Sequence, residues 1–305
     1  MQRLSPIPPG KLAIYHDDPC FDFHRHPSWF RPFFAELDRR QIDYVALNAR
    51  DLLFYDPADC HWIFPLLFNR LSLSADLAEG GSAILHALNF LAHLERTGTR
   101  VINGSRAFAF EISKARQLTL FAGLDLPAPR SRVIHRAADA PIAAEGLRFP
   151  IVVKPNVGGS GAGIVRYESS RELSTAAKAE TIELGLDQVA LVQEYVPARG
   201  GHITRVETLG GKFLYAINIY PEAGLRAEST SPSNDVIAAC EKIAQNAGVD
   251  VGSIESMIDD RNGQRVYYDI NTLSNFVADA SRVIGFNPHK NLVDFLELEL
   301  RRIKL

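Results

Sequence analysis

A chain of 305 residues exceeds the length at which a single hydrophobic core stops growing, so two or three subdomains are expected. Its composition, 46% apolar and 23% charged, is that of an ordinary globular protein, and a net charge of -3 gives no electrostatic basis for binding nucleic acid or an anionic membrane. The N-terminal MQRLSPIPPG lacks the apolar core of a signal peptide, no apolar run is long enough to span a bilayer, and Cys20, Cys60 and Cys240 are too few and too scattered for a disulfide framework or zinc site. A cytoplasmic location is the expectation.

In chain order, KLAIY (11–15) reads as a buried strand, followed by the polar stretch HDDPCFDFHRHP (16–27) and a helix over 29–40. Strands follow at 43–47 and 61–70. Ile84, Leu88, Leu91 and Glu95 recur at helical spacing with Gly98 as a stop, and RVIN (100–103) is a fourth strand. Strand–helix alternation predicts a mostly parallel α/β sheet over residues 1–112. SKARQLTLFAGLDLPAPR is a helix with Ser113 as N-cap and Gly123 as its stop, after which Pro127 and Pro129 enforce extended chain. The pattern then becomes α+β. Strands at 131–135, 150–154, 163–167 and 190–196 surround a helix over 170–184, which sets a second unit at 113–196. Strands at 203–208, 212–220, 252–258 and 265–270 make a third at 197–305, divided by a helix with Val236, Cys240, Ile243 and Ala247 on one face and Gly248 at its end.

The stretch RFPIVVKPNVGGSGAGIVRYES carries Lys154 out of a β-branched strand toward Gly158, Gly159, Ser160, Gly161 and Gly163. A P-loop needs Lys and Ser or Thr after its last glycine, and a Rossmann turn must open into a helix; Ile164 and the strand signal IVRYES meet neither requirement. What remains is a glycine loop between two antiparallel strands, whose freed N–H groups can close on phosphate oxygens beside a lysine charge. A plain glycine-rich hairpin is the alternative. In LVQEYV (191–196), the end of an apolar strand can offer backbone groups to a base edge. In ESMIDDRNGQRVYYDIN (255–271), Asp269 and Asn271 share a strand face. A three-residue loop at 261–263, with Gly263 left-handed, pairs Glu255 with Asp269. The three hard oxygen donors then suit magnesium bridged to phosphates; a solvated polar face is the alternative.

With these motifs in this order, the chain resembles the RimK and glutathione-synthetase branch of the ATP-grasp ligases over nearly its whole length. FNRLS (68–72) and GTRVING (98–104) resemble that branch's preceding, Rossmann-like domain. The resemblance implies an α/β and α+β ATP-grasp fold, with Lys114 and Lys154 on ATP, the glycine loop on its phosphates, and Gln193, Glu194, Tyr195 and Val196 at the adenine hinge. It implies Arg205 beside the transferred phosphoryl group and Glu255, Asp269 and Asn271 on two Mg2+ ions, with Mn2+ as a substitute. Asp269 stands where glutamate is usual, and Ile203 where many such ligases have an acid. The stretch 220–235 departs most and is expected to cover the site as a loop. The activity implied is ligation of a carboxylate to an amine through an acyl phosphate; a small-molecule kinase or a non-catalytic nucleotide-binding protein is the alternative. The partners implied are small acids and amines or a peptide or protein tail, and a homodimer is compatible with the resemblance.

Loops after the first strand of an open α/β sheet lie at its ligand-binding edge. That placement makes Asp17, Asp18 and His24 candidates for the second substrate, with a plain surface loop as the alternative. Arg70 stands at the same edge as a carboxylate partner or structural tie. Asn275 and Arg282, which follow the metal strand, are further pocket candidates. The histidines and acids of 16–27 match no zinc spacing.

Overall fold

Short apolar runs without alternation are what strands covered on both faces require, and LAIYH and LLFN have that character. The computed structural model describes residues 12–16, 31–49, 55–58, 64–71, 82–159, 161–224 and 226–303. In it, β1 (Leu12–His16), β2 (Tyr44–Asn48), β3 (Leu66–Asn69) and β4 (Arg100–Ile102) form a parallel sheet in the order β2-β1-β3-β4. α1 (Arg31–Arg39) buries Phe33, Phe34 and Leu37 against Leu12, Ile14 and Phe68, while α2 (Ser82–Arg96) packs Phe90, Leu91 and Leu94 on Ala13, Tyr15 and Leu67. The third strand is shorter than expected. It starts after Pro65, which has no N–H to give a ladder. Cys20, Cys60 and the candidates Asp17, Asp18, His24 and Ser160 lie outside the described residues.

α3 (Ser105–Glu111) leads into α4 (Lys114–Gly123), where Ser113 Oγ accepts from Arg116 N at 3.3 Å, the expected cap. The helix ends at Gly123 as expected, but Gly123 is not the left-handed residue. The left-handed residue is Asp125 (φ 58), and Leu126 N donates to Phe121 O at 2.9 Å. Leu126 packs in the same core as Phe121, so the chain turns where that apolar contact is made.

β5 (Ser131–Ile134), β6 (Ile151–Pro155), β7 (Val165–Tyr167) and β8 (Ala190–Glu194) form an antiparallel sheet, β5-β8-β6-β7, backed by α5 (Ala140–Ala143) and α6 (Ser170–Lys178). α6 is six residues shorter than the expected 170–184. Glu180 turns left-handed (φ 55), Thr181 N closes on Ala176 O, and Ile182 drops into the core.

The third sheet, β11-β10-β9-β12-β13, holds β9 (Ile203–Leu209), β10 (Lys212–Tyr220), β11 (Arg226–Thr230), β12 (Val251–Ile258) and β13 (Arg265–Asn271). The expected loop at 220–235 therefore contains an edge strand. RAEST faces solvent along most of its length and so shows no apolar alternation to betray it. α7 (Asn234–Ala247) packs Cys240, Ile243 and Ala244 on Val206, Ala216 and Ile254, and Gly248 (φ 73) ends it as expected. After β13 come α8 (Ala280–Val283) and α9 (Pro288–Ile303), whose Leu292, Val293 and Leu296 join the core under the first sheet.

Asn103 (φ 53) ties the first sheet to the third. Its Oδ1 accepts from Asp250 N (2.9 Å) and Val251 N (3.0 Å), and its Nδ2 donates to Val251 O (2.7 Å) and Thr272 O. It is fully buried, so Asn103→Ala would orphan backbone groups on two strands. The expected loss is about 3 kcal/mol, read as a lower urea midpoint at unchanged slope.

Candidate functional site

The register of the third sheet lays out one wall of a cleft of about 920 Å3. One cross-strand row reads Asp269, Glu255, Arg205, Ile217 and Ser229 from β13 to β11. The next row reads Asn271, Ser253, Glu207 and Tyr215. The Glu255–Asp269 pairing is the one expected, but it is reached by another route. Asp259 pairs with Gln264 across a four-residue loop, with Gly263 left-handed (φ 78), and a bulge at Tyr268 restores the register. The bulge turns Tyr268 to the cleft beside Asp269, and its hydroxyl donates to Glu255 Oε2 at 2.8 Å.

The second sheet supplies the facing wall. Lys154 leaves the end of β6 almost fully buried, and that burial, with the charge of Lys114 beside it, pulls its pKa down to about 8. Lys114 Nζ lies 3.4 Å from Asp269 Oδ1. Asn156 sets the start of α4. Its Oδ1 accepts from Ala115 N (2.8 Å) and its backbone O from Lys114 N (3.2 Å), while its Nδ2 donates to Asp187 at 2.6 Å. Gly158, Gly159 and Gly161 line the cleft, and a Cβ added at any of the three would meet open space. Gly163 (φ 72) instead packs on Pro155, where a Cβ would come within 2.8 Å of the ring. Gln193, Glu194, Tyr195 and Val196 also line the cleft. Glu194 Oε1 accepts from Arg148 N (3.0 Å) and Arg130 Nη1 (3.1 Å), and the Arg166 guanidinium lies 4.2 Å over the Tyr195 ring.

Arg205 is held from three sides. Its Nη1 lies 4.0 Å from Glu255 Oε1, its Nη2 donates to Ser274 Oγ at 3.4 Å, and its Nε is 2.9 Å from Glu207 Oε1. That last contact is a close ion pair rather than an aligned hydrogen bond, because Nε and both Glu207 oxygens find no in-line partner. Burial works against the charge of Arg205, but Glu207 and Glu255 outweigh it and raise the pKa. Burial also pushes the carboxyls of Glu207 and Glu255 up, Glu255 further because of Asp269. Glu207 and Tyr268 are additions to the expected set. Glu207 was legible as the residue two beyond Arg205 on the same strand face, whereas no local signal announces the bulge that exposes Tyr268.

Asn271 Nδ2 lies 3.3 Å from Glu255 Oε1, so two carboxylates and an amide meet at one corner of the cleft. Among the described residues no three His, Cys, Asp or Glu side chains converge, and the oxygen donors that this corner offers a cation are those of Glu255, Asp269 and Asn271. The donor set fits a hard divalent ion, which would offset the mutual repulsion that raises Glu255. The other candidates are placed apart from this corner. Arg70 is buried and donates to Ser274 O (3.0 Å) and Asn275 Oδ1 (2.5 Å), so these two tie the first sheet to the segment after β13. Arg282 stands exposed at the rim, 3.6 Å from Asp279. No helix among the described residues is long and apolar enough to cross a membrane.

Comparison with known proteins gives the same direction. A family model for the RimK-like ATP-grasp domain matches residues 112–295. A D-alanine–D-alanine ligase of Pseudomonas fluorescens is 32% identical over 118 residues, 39% of this chain and 34% of that protein. A probable alpha-L-glutamate ligase of Thioalkalivibrio sulfidiphilus is 30% identical over 189 residues, 59% of this chain and 62% of that one. The chain thus spans less than two thirds of these relatives' length. A RimK-domain ATP-grasp protein of Sphaerobacter thermophilus superposes with a TM-score of 0.71 at 18% identity, over 93% of this chain and 98% of that one. The ATP-grasp ligase PsnB, complexed with a precursor peptide and AMPPNP, superposes at 0.66 and 18% identity, over 95% and 97%. The expected ATP-grasp fold is therefore the fold observed, and the chain belongs to the RimK-like ATP-grasp family.

Proposed function

We propose that the protein is an ATP-dependent ligase that joins a carboxylate to an amine. The observation that carries this reading is the meeting, in one cleft, of Lys114 and Lys154 with the row Asp269, Glu255, Arg205 on the facing sheet. Lys114, Lys154 and the N–H groups around Gly158, Gly159 and Gly161 bind the phosphates of ATP, and the 193–196 segment takes the adenine. Glu255, Asp269 and Asn271 would hold Mg2+, which would supply positive charge to offset that of the phosphates. A carboxylate oxygen of the acid attacks the terminal phosphorus, the bond to the ADP oxygen breaks, and an acyl phosphate forms. The amine nitrogen then attacks the acyl carbon, phosphate leaves, and the amine's proton passes to solvent. Arg205 balances charge on the moving phosphoryl group and then on the tetrahedral carbon; positioning and electrostatics dominate such transfers. The amine is that of a small molecule, a peptide or a protein tail; the relatives' names carry D-alanine and L-glutamate, and PsnB is complexed with a precursor peptide.

The test is release of ADP and phosphate with pooled acids, with and without amines, beside Lys154→Ala. Release that needs both pools and vanishes in the variant supports the ligase. Release with one pool, leaving a stable phosphorylated product, identifies a kinase instead.

A pH effect follows from Lys154. Free, it is half neutral near pH 8, and a triphosphate binds its charged form. Lys154 therefore adds no pH slope to ATP affinity below about pH 7 and weakens it above pH 8 by up to about tenfold per pH unit. Lys154→Met is expected to bind weakly and without that slope, as calorimetric titrations from pH 6.5 to 9.5 would show.

A further inference from the structure

We infer that the acid substrate carries an aliphatic side group beside its reacting carboxylate, and not a second carboxylate. This rests on the ligase reading above. The reacting carboxylate must lie between the glycine loop and Arg205, so whatever it is attached to meets the wall that continues past Arg205. The sheet register says what that wall is. Across from Arg205 on β10 stands Ile217, and the adjoining row is Ile203, Ile219 and Ala227. Val277 and Val283, from the segment after β13, line the same part of the cleft. The carboxylates Asp269 and Glu255 lie on the opposite side of Arg205, so the site face changes from acidic to aliphatic at that residue.

A substrate with a second carboxylate would need a cation on the aliphatic side. The described cations there are Arg226 and Arg282, and both are exposed at the rim. Arg226 pairs with Glu228 at 2.8 Å and stacks on Tyr220, and Arg282 pairs with Asp279 at 3.6 Å. An acid with a charged side group would thus set its charge against isoleucine, whereas an aliphatic one buries its methylenes there. Discrimination of about tenfold or more per buried methylene is the expected scale.

The experiment uses the full chain with ATP, Mg2+ and a fixed amine pool, and compares glycine, alanine, valine, leucine, aspartate and glutamate as the acid. It reads phosphate release as kcat/KM, and binding as the melting shift each acid gives in the presence of AMPPNP. Valine or leucine should exceed glycine by about tenfold or more, with aspartate and glutamate near background. Ile219→Ala should move the optimum toward larger acids, and Ala227→Val toward smaller ones; the second keeps the test open if the first melts early. Faster turnover with glutamate or aspartate than with leucine, or an acid preference that neither variant moves, would overturn the inference. If no acid gives turnover or a melting shift while ATP still binds, the ligase reading fails, and this inference with it.

Discussion

Arg205→Ala is expected to lower turnover about a thousandfold while leaving ATP affinity within a few-fold. The arginine sits in the middle of the site row, beside Glu255 on one strand and Ile217 on the other, whereas the two lysines proposed to receive the triphosphate come from α4 and β6. In the proposed reaction its charge would sit where phosphoryl and oxyanion charge develops, not where ground-state phosphates rest. Loss of an arginine in that role is worth about 10³–10⁵ in rate. Arg205→Lys should recover little, because an ammonium cannot keep three contacts at once, with Glu207, Glu255 and Ser274. Glu207→Gln should show part of the same loss, since the fully buried carboxylate braces the guanidinium from the inner row. Steady-state turnover beside calorimetric ATP binding separates the alternatives. A loss that appears as weakened ATP binding would make Arg205 a nucleotide ligand and remove it from the chemical step.

How much of this was legible beforehand depends on what each residue's neighbours announce. Lys154 and the glycine loop were readable because a β-branched strand running into glycines has few meanings, and the antiparallel partner β7 followed from IVRYES. The pairing of Glu255 with Asp269 was readable from face alternation, although a four-residue loop and a bulge replace the expected three-residue loop. β11 was not readable, because an edge strand exposed to solvent needs no apolar pattern; only its pairing with β10 defines it. The tie between Arg70 and Asn275 spans 205 positions and has no local signature at all. The same holds for Asn156, whose side chain sets the start of α4 from a loop 41 residues away. Local chemistry thus marked the end of the cleft with the lysine and the glycine loop, and long-range packing decided the rest.

Glu255→Gln should separate the site's stability from its use. The carboxylate is largely buried, faces Asp269 across one register step, and has its pKa raised by burial and by that neighbour. Tyr268 and Asn271 donate to it, yet neither carries a charge to offset it, and Arg205 stands off at 4.0 Å. In the metal-free protein the ionised pair is therefore a liability, and an amide of the same shape should leave the melting temperature unchanged or higher. With Mg2+ present the order reverses. The wild-type corner gains a cation that both carboxylates can share, whereas the variant offers one carboxylate and two amides. The concentration of Mg2+ needed for half-maximal turnover should rise about tenfold or more, and turnover at saturating Mg2+ should fall by about two orders of magnitude. Melting curves with chelator and with Mg2+ read the first half, and turnover titrated with Mg2+ reads the second. A variant that melts several degrees below wild type in chelator would make Glu255 a structural residue. One that keeps wild-type Mg2+ dependence would move the cation to another set of ligands.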